Sequence, residues 1–400
     1  MTVFYNANIF NGKDTEVMQN QWFEVADGKF KQIGVGNVPA SIDEKKVNLQ
    51  GKFVMPGLIN AHTHMMMNPV TNKLEYLTEA EVTVTALKNL RDLIGSGVTY
   101  IRDCGCAFNV DIKLKKLRDQ LDLVIPEIVA SGRPMSMTGG HGDFREDEDG
   151  NINWSYLVDS PDEMRKSVRT AFKEGADNIK VMATGGVMSA GDNVNDTALT
   201  MAEMKVAVEE AHDKSKRVAA HAQGNKGIGN ALKAGVDSIE HGIYVDEKQA
   251  EFMKENNVYL VPTLNAAASI SKYGRDSLPA HMTRKNDLVK HDFFEHVAMA
   301  IQKGVKVVVG TDAGTPFNSF KTGTWEEMEL LVNKAGATPT QALFGATKYA
   351  AELLNITEGY GSIESGKFAD FLVLDQDPTQ YITAVAQTDK QVFKKGVQIK

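Results

Sequence analysis

Short apolar runs alternate with longer amphipathic segments through the middle of the chain, from about residue 56 to residue 355. The apolar runs predict buried strands, and the segments between them predict helices that cover a sheet. The eight predicted strands are 58–62, 98–102, 128–131, 178–182, 218–221, 238–241, 259–262 and 306–310. The predicted helices include 80–96, 161–174, 202–215, 227–234, 246–256 and 287–303, with a further helix at 339–354.

Four of the predicted helices end in the same way, at a glycine that is followed by the start of a strand. These glycines are Gly97, Gly175, Gly235 and Gly304. Glycine readily takes the left-handed backbone conformation that ends many helices. Eight β/α units of this kind predict a parallel (β/α)₈ (TIM) barrel, with a doubly wound open sheet as the alternative.

The two ends of the chain have a different pattern from the middle. Residues 3–9, 22–26 and 30–35 are short apolar or alternating runs, separated by the tight-turn pairs Asn11-Gly12 and Asp27-Gly28. Residues 368–374 and 391–399 again predict strands. We therefore expect residues 1–54 and 360–400 to form a small β-sandwich domain and residues 55–359 to form the barrel.

Composition narrows the class of protein. The net charge is −8 and no basic cluster is present, so nucleic acid is not an expected partner. No run of about 18 apolar residues predicts a membrane span, and the N-terminal residues predict a strand rather than a signal peptide. The two cysteines, Cys104 and Cys106, are too close in sequence to build a disulfide framework. We expect a cytoplasmic protein without a membrane partner.

Metal-type side chains follow the predicted strands. His62 and His64, in the run MPGLINAHTHMMM (55–67), are two residues apart, so on a strand both imidazoles point to one side. Four further residues of this type lie in or just after other predicted strands: Lys180, His221, His241 and Asp312. Barrel enzymes place their sites at the carboxyl ends of the strands, so we expect all six side chains to converge.

The motifs that contain these residues resemble those of the amidohydrolase superfamily, in its binuclear, carboxylated-lysine form. The shared motifs are PGLINAHTH, IKVMATGG, HAQG, IEHG, GTDAG and SIESGKFADFLVLD, and they extend over essentially the whole chain. Within the superfamily, the segments SGRPMSMTGGHGD (131–143) and IEHGIYVD (239–246) resemble metallopeptidases of the prolidase and Xaa-Arg/Lys carboxypeptidase type.

The resemblance implies two divalent metal ions, with zinc favoured by the imidazole and carboxylate ligands. It implies that His62 and His64 bind the first ion and that His221 and His241 bind the second. Lys180, as its carbamate, would bridge both ions, and Asp312 would contact the first ion and a bridging hydroxide. Such a hydroxide attacks a carbonyl carbon. Asp312 would carry the proton to the leaving nitrogen, and His241 and Lys180 complete the predicted catalytic set.

Three residues are candidates for binding the substrate. His141 and Tyr244 match positions that line the pocket in the resembled peptidases, and Arg275 could bind a carboxylate. We therefore expect hydrolysis of a dipeptide or an N-acyl amino acid. The alternatives are a cyclic amidohydrolase or deaminase of the imidazolonepropionase kind, and a non-catalytic barrel that serves as a scaffold. A homo-oligomer is left open.

Overall fold

The structure is a computed structural model that describes residues 1–40, 45–70, 77–143 and 154–400. It is a mixed α/β protein whose two central sheets contain only parallel strand pairs. The strands are β1 (Thr2–Ile9), β2 (Met18–Ala26), β3 (Lys29–Val35), β4 (Lys45–Asn48), β5 (Phe53–Pro56), β6 (Leu58–Thr63), β7 (Val98–Asp103), β8 (Glu127–Val129), β9 (Met135–Ser136), β10 (Tyr156–Leu157), β11 (Asn178–Met182), β12 (Arg217–Ala222), β13 (Ser238–His241), β14 (Tyr259–Val261), β15 (Phe371–Leu374), β16 (Gln391–Lys394) and β17 (Val397–Gln398). The α-helices are α1 (Glu79–Ser96), α2 (Val110–Gln120), α3 (Pro161–Glu174), α4 (Met201–His212), α5 (Asn225–Ala234), α6 (Glu247–Glu255), α7 (Leu264–Tyr273), α8 (Ala280–Lys303), α9 (Gly323–Asn333), α10 (Pro339–Gly345) and α11 (Lys348–Leu353).

The central strands form a three-stranded sheet in the order β6-β7-β8 and a six-stranded sheet in the order β10-β9-β11-β12-β13-β14. Seven of the eight predicted strands are therefore present, namely β6, β7, β8, β11, β12, β13 and β14. The eighth, at 306–310, is not a continuous strand and makes an isolated parallel bridge between Leu260 and Val307. Its backbone still forms hydrogen bonds with β14 on one side and β6 on the other, because Val308 N donates to Leu260 O at 2.8 Å and Ala61 N donates to Val309 O at 2.9 Å. Within the described residues, the central strands therefore pair as two separate sheets and not as one closed barrel.

Strands from the two chain ends form one eight-stranded sheet in the order β17-β16-β15-β5-β1-β2-β3, with β4 paired to β1. The sheet extends slightly past residue 54, because Met55 and Pro56 pair with Leu372 and Phe371. It has its own cluster of aromatic side chains, in which Phe371 stacks on Phe393 with ring centroids 4.3 Å apart. The chain ends thus pack around an apolar cluster separate from the central one.

The glycine ends of the helices are confirmed. Gly97, Gly175, Gly235 and Gly304 follow α1, α3, α5 and α8 with φ of 103°, 114°, 92° and 86°. A residue with a Cβ is strained in this region, so glycine fixes where each helix stops. The helix predicted at 339–354 is instead two helices, α10 and α11, because the backbone of Thr347 (φ −137°, ψ −89°) departs from helical values. In the described part of the chain, no helix combines the length and the apolarity that crossing a bilayer requires.

Candidate metal centre

Five strand-end segments bring the six predicted ligand residues to one place. His62 lies in β6, Lys180 in β11 and His221 in β12, while His241 ends β13. The imidazole rings form a chain of contacts. The ring centroids of His62 and His64 are 5.4 Å apart, those of His62 and His241 are 5.2 Å apart, and those of His221 and His241 are 4.7 Å apart. The side chains that the sequence places on separate strands therefore converge.

Ligand atoms of three of these residues are close enough to hold one ion. One nitrogen of His62, one nitrogen of His241 and one carboxylate oxygen of Asp312 all lie within 4.8 Å of one another. The Oδ1 of Asp312 is also 3.3 Å from the Nε2 of His64. His241 and Asp312 both have left-handed backbone conformations, with φ of 69° and 59°. Such conformations are costly for residues other than glycine, and they often occur at functional sites.

Lys180 is buried, with 1% of its surface exposed, and its Nζ lies 3.5 Å from the Nε2 of His62. Among the residues that the structure describes, no carboxylate oxygen lies within 4.0 Å of this nitrogen to form an ion pair. A buried ammonium without a close counter-charge is costly. The donor set thus fits a lysine that becomes an anionic carbamate better than one that stays an ammonium.

A buried carboxylate orients His62. The Oε2 of Glu240 lies 2.7 Å from the Nδ1 of His62, and neither side chain is exposed. The other oxygen of Glu240 accepts a hydrogen bond of 2.7 Å from the Nη2 of Arg102, which is itself fully buried. A carboxylate at Nδ1 keeps the proton there and leaves the lone pair on Nε2 for a ligand.

The other three imidazoles are each held through one nitrogen. The Nδ1 of His64 donates to Gly105 O at 3.1 Å, and the Nε2 of His221 donates to Gly185 O at 3.1 Å. The Nδ1 of His241 lies 2.7 Å from the Oγ1 of Thr263. In each ring the remaining nitrogen is the one available to a metal ion.

The protonation states suit a metal centre. Burial holds the pKa of His62 well below its usual value, and Lys180 in its ammonium form lowers it further. Burial and neighbouring cationic groups do the same to the pKa of His221 and of His241. Burial alone would raise the pKa of Asp312, but its hydrogen bond with His64 and the surrounding positive charges lower it to about 2. Neutral imidazoles and an ionised carboxylate are the forms that bind divalent cations.

A cavity opens over these ligands, and its lining divides into a polar and an apolar part. The polar part includes His64, His141, Lys180, His221, His241 and Asp312. The apolar part includes Val187, Met188, Ile243, Ile270, Val289 and Phe293. The cavity therefore combines the predicted ligand residues with an apolar lining.

Of the three predicted substrate contacts, only His141 is part of this lining. Its ring stacks on His221 with centroids 4.3 Å apart. Tyr244 is half-buried and packs against His296, outside the lining residues. Arg275 is exposed at the surface and is also absent from the lining. In this structure the geometry supports a direct substrate contact for His141 alone among the three.

Glu240 and Thr263 are not among the residues predicted from the sequence, although each contacts the Nδ1 of a predicted ligand histidine. Glu240 directly precedes His241, and adjacent residues of a strand point to opposite faces. Glu240 lies on the same strand face as Ser238, whose Oγ donates to its Oε1. His241 reaches the site because its backbone leaves the extended conformation at the end of the strand. Glu240 could have been identified from the IEHG motif in which it lies, whereas no motif of the sequence pointed to Thr263.

Comparison with known proteins gives consistent matches. The profile of the amidohydrolase family matches residues 53–399. The ochratoxinase of Aspergillus niger is 30% identical over 414 aligned residues, which cover 96% of this chain and 82% of that protein. The crystal structure of a Xaa-Pro dipeptidase with methionine in its active site is 30% identical, with a TM-score of 0.91 and coverage of 100% and 99%. A prolidase complexed with N-methylphosphonate-L-proline is 28% identical, with a TM-score of 0.90 and coverage of 100% and 99%.

Proposed function

The chain belongs to the amidohydrolase family, and from this we propose that it is a binuclear metal-dependent hydrolase of dipeptides or N-acyl amino acids. The superfamily resemblance inferred from the motifs is confirmed, and so is hydrolysis of C–N amide bonds. The native metal, the modified lysine and the substrate are the parts that we propose.

The observation that carries the proposal is the buried Lys180, which lies beside the imidazole of His62 and has no carboxylate oxygen of the described residues within 4.0 Å of its Nζ. We propose that it becomes a carbamate and shares two divalent ions, with zinc favoured. His62 and His64 would hold one ion together with Asp312, and His221 and His241 would hold the other. Ions held there would supply a water of lowered pKa and a Lewis acid for the scissile carbonyl.

Asp312 carries the proton in the proposed reaction. Its carboxylate is ionised and can accept a proton. It lies beside His62 and His64, the proposed ligands of the first ion, and from there it would pass the proton to the leaving nitrogen. A positioned acid–base group of this kind contributes roughly 10²- to 10⁴-fold to the rate.

The cavity lining supports a particular kind of substrate. The apolar wall formed by Ile243, Ile270 and Phe293 suits an apolar side chain next to the scissile amide. His141, next to His221 at the polar side, is our candidate for binding the substrate carboxylate. Since Tyr244 and Arg275 lie outside the lining, we do not assign them a substrate contact.

The architecture and location of the protein are part of the same proposal. We propose that residues 55–359 form a (β/α)₈ barrel, supported by the hydrogen bonds that join residues 306–310 to both β14 and β6. The separate aromatic cluster supports a second small domain from residues 1–54 and 360–400. The free, buried cysteines Cys104 and Cys106 support a cytoplasmic location.

A substrate panel tests the proposed function. Zinc-loaded protein is assayed with Xaa-Pro dipeptides, Xaa-Arg dipeptides and N-acyl amino acids that have apolar or charged side chains. We expect turnover of carboxylate-bearing amides with apolar side chains, and a loss of at least about a hundredfold in kcat for Asp312→Asn. Turnover only of cyclic amides or amino-heterocycles, with one bound metal and an unmodified Lys180, would favour the alternative function.

A further inference from the structure

A buried lysine of α8 holds the loop that follows β11. The Nζ of Lys285 donates to Gly186 O at 3.0 Å, to Ser189 O at 2.7 Å and to Asp192 O. It also lies 3.5 Å from the Oδ1 of Asp192, and only 8% of the side chain is exposed. An ammonium group has three N–H donors, so Lys285 can satisfy all three carbonyl oxygens at once. A lysine with this many partners and this little exposure is held more firmly than a lysine in a surface ion pair.

The same loop holds His141. The Oγ of Ser189 lies 3.0 Å from the Nδ1 of His141, and the Oδ2 of Asp192 lies 3.7 Å from it. Asp192 is fixed in turn, because its Oδ1 accepts hydrogen bonds from Gly186 N at 3.0 Å and from the hydroxyl of Ser189. The position of His141 therefore depends on a loop whose backbone is held by Lys285.

The helix and the loop cover one cavity. Val187 and Met188 line it from the loop, and Val289 and Phe293 line it from α8. His281, one turn before Lys285, donates from its Nε2 to Met188 O at 3.2 Å. Two residues on one face of α8 thus bond the loop at the point where both elements meet over the ligand residues.

We propose that Lys285 is a positioning residue for substrate binding: by holding the loop after β11 against α8, it keeps Ser189 and Asp192 in place and so sets His141 toward the substrate carboxylate. This inference rests on the proposed function, in which His141 binds that carboxylate. Lys285 acts through His141 and the loop, without touching the substrate.

The first test is the kinetics of Lys285→Met, which keeps most of the side-chain volume but removes the three donors. We expect KM for an apolar dipeptide with a free carboxylate to rise about tenfold, the equivalent of one or two lost hydrogen bonds. KM for the corresponding C-terminal amide should change little, and kcat should change less than KM. Lys290→Met is the matched control, because Lys290 is on the same helix and pairs with Asp287 rather than with the loop. An equal rise of KM for the acid and the amide would overturn the proposal.

A second variant guards against a general loss of structure. Ser189→Ala removes the hydroxyl next to His141 and leaves the backbone carbonyl that Lys285 binds. It should reproduce the rise in KM for the free carboxylate, and in a His141→Ala background neither Lys285→Met nor Ser189→Ala should add to it. Additive effects would show that Lys285 does not act through His141.

A third measurement separates this inference from the proposed function, because it needs no substrate. Hydrogen–deuterium exchange of residues 185–193 in the zinc-loaded protein should be at least several-fold faster in Lys285→Met than in the wild type or in Lys290→Met. Unchanged exchange would overturn the role of Lys285, even if dipeptides are hydrolysed. Faster exchange together with no turnover of any carboxylate-bearing amide would keep the loop contact but reject His141 as a carboxylate ligand.

Discussion

Gly186 lies so close to His141 that a Cβ at residue 186 would be 2.5 Å from the Cε1 atom of the imidazole. The φ of Gly186 is outside the left-handed region, so the restriction is steric. Gly186→Ala should therefore displace the imidazole of His141, with a small effect on the free energy of unfolding. If His141 binds the substrate carboxylate, KM for a free-carboxylate dipeptide should rise about tenfold.

The matched control for this variant is Gly191→Ala in the same loop, because a Cβ at residue 191 would meet no atom within 4 Å. Steady-state kinetics of both variants on the acid and the amide form of one dipeptide give the answer. A KM that stays at the wild-type value in Gly186→Ala would show that the position of His141 does not matter for binding.

Replacing Glu240 should weaken metal binding without removing a ligand. In Glu240→Gln the amide can donate to the Nδ1 of His62, which moves the ring proton to Nε2 and blocks the nitrogen that faces the site. Loss of such a partner typically costs 10- to 100-fold in metal affinity, and we expect about that change in a zinc titration.

Glu24→Gln is the control for this substitution. Glu24 is also a buried carboxylate, but it lies in β2 and pairs with Lys31 at 3.2 Å, away from the ligands. Its zinc affinity should equal that of the wild type. If both variants bind zinc equally well, Glu240 does not set the tautomer of His62.

Thr263 should matter in the same way for His241. Thr263→Val keeps the branched shape at a residue whose φ is 54°, but it removes the oxygen that lies 2.7 Å from the Nδ1 of His241. The ring loses its orientation and a buried N–H loses its partner, so we expect about tenfold weaker zinc binding. Thr347→Val removes a buried hydroxyl that donates to the carbonyl of Leu343 in α10, and it should leave zinc binding unchanged. Identical zinc affinities in the two valine variants would contradict this role.

The buried Lys390, which lies away from the site, should make the stability of the protein depend on pH. Burial, with a contribution from the charge of Lys400, lowers its pKa to about 8. The folded state then loses its proton near pH 8 while the unfolded state keeps it until about pH 10.5, so the free energy of unfolding should rise with pH between these values. The gain is at most about 3 kcal/mol. Urea unfolding should show this rise in the wild type and its absence in Lys390→Met; the same slope in both would disprove it.

Sequence periodicity predicted the regular part of the fold well. Helix ends at Gly97 and Gly175 were predictable because the backbone there needs a left-handed residue, and that requirement is local. The helix α7 was missed because it begins after Thr263 without a side-chain cap of its own. Its first amides are instead bound by Glu327, far away in the sequence, at 2.9 Å from Leu264 N and 2.7 Å from Asn265 N.

The convergence of the six predicted ligand residues could be expected from the sequence, because the carboxyl ends of neighbouring parallel strands lie at the same edge of a sheet. The residues that orient them were not, because Arg102, Glu240 and Ser238 form their network through packing between strands. Nor could the sequence show that Tyr244 packs against His296, or that Arg275 lies at the surface. A loop residue near the site in sequence can face away from it, and only the fold decides its direction.

The proposed carbamate at Lys180 can be observed by carbon-13 NMR of protein that is loaded with zinc in the presence of ¹³C-bicarbonate. We expect one carbamate resonance that appears together with two bound zinc ions per chain and that is absent from Lys180→Met. A spectrum without that resonance, in protein that binds zinc and cleaves amides at full rate, would contradict this proposal.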